Sequence, residues 1–307
     1  MAILQCFDEA NVADGSGSSN SSGCPQAETV HGPVRDWNVS SIENMDHMFA
    51  LDGVTDVGGF SHFDLSLWDT SQVTSMIGTF TNARTFNMDI GGWDTSQVTS
   101  MAGMFQDAAS FNQDIGGWDT SAVKDTSSMF ERAAAFNQDI GAWHTGSVTK
   151  MERMFRSNEV FNQDIGAWDT GSVTSMERMF NGAVRFNQDI SGWITSSVTS
   201  MADTFASAQS FNQSIGLWDT SRVTSMKGMF FDAWDFNKDI SSWDTGQVTT
   251  MNSMFWGTRS FWRDISGWDT HSLSNTGYMW LYSYLDSHSS TCSYSSPPSC
   301  TSGIGAS

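Results

Sequence analysis

The stretch FNMDIGGWDTSQVTSMAGMFQDAAS at residues 86–110 decides the fold, because the chain says it again and again. Tryptophans stand at Trp68, Trp93, Trp118, Trp143, Trp168, Trp193, Trp218, Trp243 and Trp268, nine in a row at a spacing of 25 residues. Trp37 lies 31 residues before the first of them, so the opening unit carries six extra residues. Self-similarity at a fixed period of roughly 20–50 residues is the signature of stacked repeat units.

Within one unit Ile90, Trp93 and Thr95 suit a brief strand. From Val98 the apolar residues Met101, Met104, Phe105 and Ala108 follow at intervals of 3, 3, 1 and 3, which reads as helical. Thr95 and Ser96 stand where they would cap the first helical turn. Stacked units would then place short parallel strands on one face, about 4.8 Å apart, with short helical turns on the other. One buried apolar side chain contributes roughly 1.5–3 kcal/mol against an ordering cost of about 1–2 kcal/mol per residue. A single unit should not fold alone, whereas the array should.

Three segments follow. Residues 1–33 form an N-terminal capping segment with Cys6 and Cys24. About ten tandem repeats occupy 34–280. A Ser/Tyr-rich tail with Cys292 and Cys300 covers 281–307. The cysteines are grouped at the two ends, which suggests Cys6–Cys24 and Cys292–Cys300, although four cysteines allow three pairings. Disulfides persist in oxidising compartments, so an extracellular or cell-surface location is expected. The sequons Asn20, Asn38 and Asn212 are compatible with that route.

A net charge of −20, from 34 acidic and 14 basic side chains, opposes binding to nucleic acid and to anionic membrane surfaces. No apolar run is long enough to span a bilayer. Enzyme signals are lacking: the six histidines share no register, and neither a nucleophile elbow nor a zinc-spaced Cys/His set is present. No cofactor is expected.

The phrase I-x-x-W-D-T-S-x-V-T-x-M-x-x-M-F-x-x-A resembles the BspA-type leucine-rich repeat in the 25-residue form of mycoplasmal surface lipoproteins, the DUF285 repeat. The resemblance implies a repeat solenoid of α/β leucine-rich-repeat-like class, secreted or surface-borne and linked to adhesion. It transfers no catalytic residue.

Other rows were weighed for chemistry. The paired methionines (Met101/Met104, Met151/Met154 and their equivalents) read as core packing before soft-metal ligands. The aspartates after the tryptophans, Asp94, Asp119 and Asp169 among them, are candidate Ca²⁺ ligands; acceptance of turn N–H groups is the favoured role. The asparagines Asn87 to Asn237 suggest a ladder inside a turn. Threonine rows raise ice binding, the least favoured reading. Two functional expectations lead: a structural or adhesive extracellular protein, self-associating through its ends into a filament if that contact does not close, and a monomeric surface module binding glycan or a partner protein. For either, Trp234, Trp256, Arg259, Trp262 and Arg263 break the repeat and mark a candidate interface.

Overall fold

The computed structural model describes residues 34–51 and 64–283. Successive units pair in parallel at one residue each, along the column Asn44, Ser75, Ser100, Asp125, Lys150, Ser175, Ser200, Ser225, Thr250 and Asn275. The expected α/β architecture is not there. Among the described residues the one helical element is the 3₁₀ turn Val34–Asp36, and the pairing is a row of isolated bridges, without strands or a sheet. The bridge also falls at Ser100, beyond the Ile90–Thr95 stretch assigned to a strand.

The hydrogen bonds explain what replaced the helix. Met101, Gly103, Phe105 and Asp107 donate their N–H groups to Asp125, Ser127, Met129 and Glu131 of the next unit, at 2.8–2.9 Å. The N–H groups between them turn back: Met104 donates to Met101, Gln106 to Gly103 and Ala108 to Phe105. Each such i→i−3 bond closes a β-turn. Two residues per unit take left-handed backbone to allow this. One column runs His47, Gly78, Gly103, Ser128, Arg153, Arg178, Asp203, Gly228, Ser253 and Tyr278; the other, four residues on, runs Asn82, Asp107, Arg132, Ser157, Gly182, Ser207, Asp232, Gly257 and Tyr282. A left-handed residue every fourth position cannot continue a right-handed helix.

The apolar spacing that suggested a helix records these turns. Met101/Phe105 and Met104/Ala108 stand four apart and so match a helix of period 3.6 as well; the hydrogen bonds, not the spacing, separate the two backbones. Trp93 donates back to Ile90, Val98 to Thr95, Met104 to Met101, Ala108 to Phe105 and Phe111 to Ala108. Each of these five intervals of three is one closed turn, whereas Val98 to Met101 is not, because Met101 donates to Asp125 of the next unit.

The core is a set of columns. Phe105 stacks on Phe111 of its own strip at 3.8 Å and on Phe130 of the next unit at 5.7 Å. Trp143, Trp168 and Trp193 repeat at 6.3–6.4 Å, nearly coplanar. Each indole N–H of the nine tryptophans in the 25-residue column donates to a carbonyl of the preceding unit at 3.0–3.2 Å, Trp168 to Ile140 for example. The tryptophan thus meets the demand that a buried N–H be paired while joining two units. Met101, Met104, Met176 and Met179 are fully buried among these rings, as core packing requires. Where Thr79 and Thr204 replace a methionine, two backbone carbonyls lie 2.9–3.0 Å from the hydroxyl and share its one hydrogen, so the polar group is buried without being orphaned.

Candidate functional site

The repeating polar residues are spent on the scaffold. Thr70, Thr95, Thr120, Thr145, Thr170, Thr195, Thr220 and Thr245 are buried and donate to a carbonyl of the next unit at 2.8–3.1 Å. The exposed threonines Thr99, Thr174, Thr199, Thr224 and Thr249 donate instead to the unit before, so the row considered for ice binding commits its hydroxyl hydrogens internally. Asn87, Asn112, Asn137, Asn162, Asn187 and Asn212 each accept, on the side-chain oxygen, the backbone N–H of the asparagine one unit later at 2.9–3.0 Å. The neighbouring glutamines close the same step, Gln163 donating to the Asn137 carbonyl at 2.8 Å. Replacing Asn162 by alanine strands the Asn187 N–H. Loss of stability of about 1–3 kcal/mol is expected, measured by denaturant unfolding.

The calcium candidates behave as turn residues. The carboxylates of Asp94, Asp119 and Asp169 accept N–H bonds from Ser96, Ser121 and Gly171 at 2.9–3.0 Å, and no group of three His, Cys, Asp or Glu side chains converges among the described residues. In Asp64, Asp69, Asp119 and Asp219 the hydroxyl of the serine two residues on, with its backbone N–H, holds the carboxyl below the ordinary aspartate range; in Asp189, Asp239 and Asp264 the same two groups act, the backbone N–H first. A folded-state value lowered in this way stabilises the protein above the unfolded value and is lost as pH falls through the folded one. Thermal midpoints should therefore hold steady from about pH 7 to about pH 5 and drop steeply below about pH 4. A midpoint unchanged down to about pH 2 would show these turns to be neutral to folding.

Of the sequons, Asn38 is exposed and accepts both the N–H and the hydroxyl of Ser40. Asn212 is half-buried in the asparagine ladder. Asn20, Cys6, Cys24, Cys292 and Cys300 lie outside the described residues.

What does not repeat gathers on the turn face, at and beside the two left-handed columns. Fourteen of the nineteen left-handed residues carry a side chain, although glycine takes this backbone without the steric cost that other residues meet. The signal for these columns in the sequence is the recurrence of Gly, Ser, Asp and Asn at the two offsets, the residues that favour turns, rather than any part of the repeated apolar phrase. In the central units the face is charged. Arg132 grips Asp107 of the preceding unit with two bonds, 2.6 and 2.7 Å, and reaches Glu131 at 2.6 Å. Arg156 of the following unit meets the same buried Glu131 carboxylate at 2.5 Å. Chiefly through its bond to Asp107, Arg132 is held more firmly protonated than usual. Arg178 pairs with Asp203 at 3.1 Å. Arg153 is exposed.

In the last units the same face turns aromatic. Trp256 packs against Phe231 edge-on at 4.8 Å and lies 6.2–6.3 Å from Tyr278 and Tyr282. Arg259 covers Trp234 at 4.0 Å, and Arg263 covers Trp262 at 4.2 Å. The structure therefore places four of the five interface candidates in two separate cation–π pairs and the fifth, Trp256, in an aromatic cluster, and adds Tyr278 and Tyr282, which occupy left-handed positions in the last unit.

The arrangement can be set beside known proteins. The family described as "Mycoplasma protein of unknown function, DUF285" matches residues 21–118, 52–159, 135–217 and 190–290. The chain belongs to the DUF285 family. The four overlapping matches each span several of the 25-residue units. A search of the curated proteins returns no match. Among the described residues no helix is long and apolar enough to cross a membrane.

Proposed function

We propose that this DUF285 protein is a non-enzymatic extracellular repeat protein with a structural or adhesive role, in which the invariant columns hold the stack and the variable turn face makes the contacts. The observation that carries the reading is the side-chain content of the left-handed columns. Arg153, Arg178, Tyr278 and Tyr282 occupy backbone that glycine would take at lower cost, and changing them breaks none of the inter-unit ladders. The likeness of the repeat phrase to BspA-type surface proteins and the terminal cysteines support the placement outside the cell. End-to-end assembly into a filament is one form of the same role, and electron micrographs of native material showing only dispersed monomers would remove that form.

The test compares two shaved surfaces, scored by retention of protein-coated beads on protein- and glycan-coated supports. Alanine at Glu152, Arg153, Glu177 and Arg178, with Tyr278→Ser, should cut retention at least about tenfold and leave the unfolding midpoint within a few degrees. Serine at the exposed Thr174, Thr199 and Thr224 should leave retention unchanged. Equal retention by both variants and the parent would refute the assignment of contacts to the turn face.

A further inference from the structure

The geometry points to a binding platform for neutral hexopyranose glycans on the turn face of the last two units, built on Trp256, Tyr278 and Tyr282. The inference rests on the extracellular binding role just proposed and names its ligand class. Three observations converge on it.

The first is exposure. The most exposed aromatic rings among the described residues are Trp262 at 47%, Tyr278 at 67% and Tyr282 at 70%, and all three lie within the closing stretch, whereas the repeated tryptophans and phenylalanines are buried. Exposed aromatics that gather in one place mark a contact site.

The second is that the scaffold does not require these rings. Trp262 stands where every earlier unit from Asn87 has asparagine, and Arg263 where glutamine recurs, yet the ladder persists: the Trp262 N–H reaches the Asn237 side chain at 3.3 Å and Arg263 Nε reaches the Asn237 carbonyl at 3.0 Å. Tyr278 places a bulky ring on left-handed backbone, where glycine or asparagine would be less strained.

The third is chemistry. The turn-face positions Asn252, Ser253 and Gly277 are uncharged in a protein of net charge −20, while the central units carry Glu152, Arg153, Glu177 and Arg178 at the equivalent places; one carboxylate, that of Asp232, lies against Gly257. Asn252 donates to the Asn275 side chain at 3.4 Å and its amide nitrogen lies against Gly277, so neutral amides rather than charges stand beside Tyr278. A pyranose offers the complement, an apolar C–H face for an aromatic plane and neutral hydroxyls for amides. Size agrees. Two tyrosines about two-thirds exposed offer roughly 200–350 Å², well short of the roughly 800 Å² per partner that a stable protein interface covers.

The test uses the full chain, with β-1,4-glucan, β-1,3-glucan and mannan as neutral probes and dextran sulfate as the anionic one, read by affinity electrophoresis and by hydroxyl-radical footprinting of Trp256 and Tyr278. At least one neutral probe should retard the protein. Tyr278→Ala should weaken that retardation at least about tenfold, Tyr278→Phe should largely preserve it, and Thr199→Ser should leave it unchanged. Both rings should be reactive in the free protein and protected by the retained glycan. Retardation by dextran sulfate alone, or retardation indifferent to Tyr278→Ala, would overturn the inference. So would rings already protected without glycan: in a monomer by sedimentation this makes residues 284–307 the occupant, and in a dimer a second copy. If all neutral probes fail while the shaved turn face still loses bead retention on protein-coated supports, the glycan platform falls and the broader adhesive role stands.

Discussion

Trp168→Ala is expected to lower unfolding stability by about 3–5 kcal/mol, the largest single effect foreseen in the array. Two losses combine. The indole leaves a cavity between Trp143 and Trp193, whose rings lie 6.3–6.4 Å from it, and the fixed positions of neighbouring units prevent that gap from closing. The Ile140 carbonyl also loses the indole donor and keeps only the Trp143 N–H at 3.2 Å; one such hydrogen bond contributes about 0.5–1.5 kcal/mol net. Trp168→Phe separates the terms, since it keeps most of the ring and removes the N–H; it should cost appreciably less than alanine. Because stability in a stacked array is a sum of unit and nearest-neighbour terms, the loss should be greatest at a central tryptophan and smaller at Trp68 or Trp268. Chemical denaturation across the series measures this, and equal losses at centre and ends would argue against nearest-neighbour coupling.

The second large effect distinguishes left-handed turns from the helix that the apolar spacing suggested. Ser128 and Ser207 have φ of 56° and 57°, a region that β-branched residues enter at high cost. Ser128→Val and Ser207→Val should each destabilise by about 1–2 kcal/mol, and the double variant by nearly the sum, because the two sites lie three units apart. Ser128→Gly should be neutral or stabilising. A helix predicts the reverse order for glycine, which costs about 1 kcal/mol in a helix interior. Calorimetric midpoints for the four variants decide between the two backbones.

Much of the molecule was legible in the sequence, and the parts that were not share one physical cause. Buried columns of tryptophan, phenylalanine and methionine follow from the 25-residue period, since a residue that recurs in every unit of a stack faces its own copies. The asparagine ladder and the aspartate turns follow from the same logic, as amides and carboxylates at fixed offsets find backbone partners. The α/β leucine-rich reading failed at Val98–Ala108, where apolar periodicity was asked to stand for backbone conformation. Periodicity reports which side chains point inward; it does not report the sign of φ. That information lay in the residues between the apolar ones, Gly103 and Asp107 and their equivalents, which were passed over as variable. Of the candidate site, Trp234, Trp256, Arg259, Trp262 and Arg263 stood out because they break the phrase. Tyr278 and Tyr282 did not, because the last unit departs from the phrase at so many positions that two tyrosines raised no signal.

The account turns on how one unit is joined to the next, and scalar couplings measured by NMR across individual hydrogen bonds test it most directly. Couplings should connect the Gly103 nitrogen to the Ser127 carbonyl carbon, the Phe105 nitrogen to that of Met129, and the Met104 nitrogen to that of Met101. Couplings from Phe105 to Met101 and from Ala108 to Met104, the i→i−4 pattern of an α-helix, would contradict it.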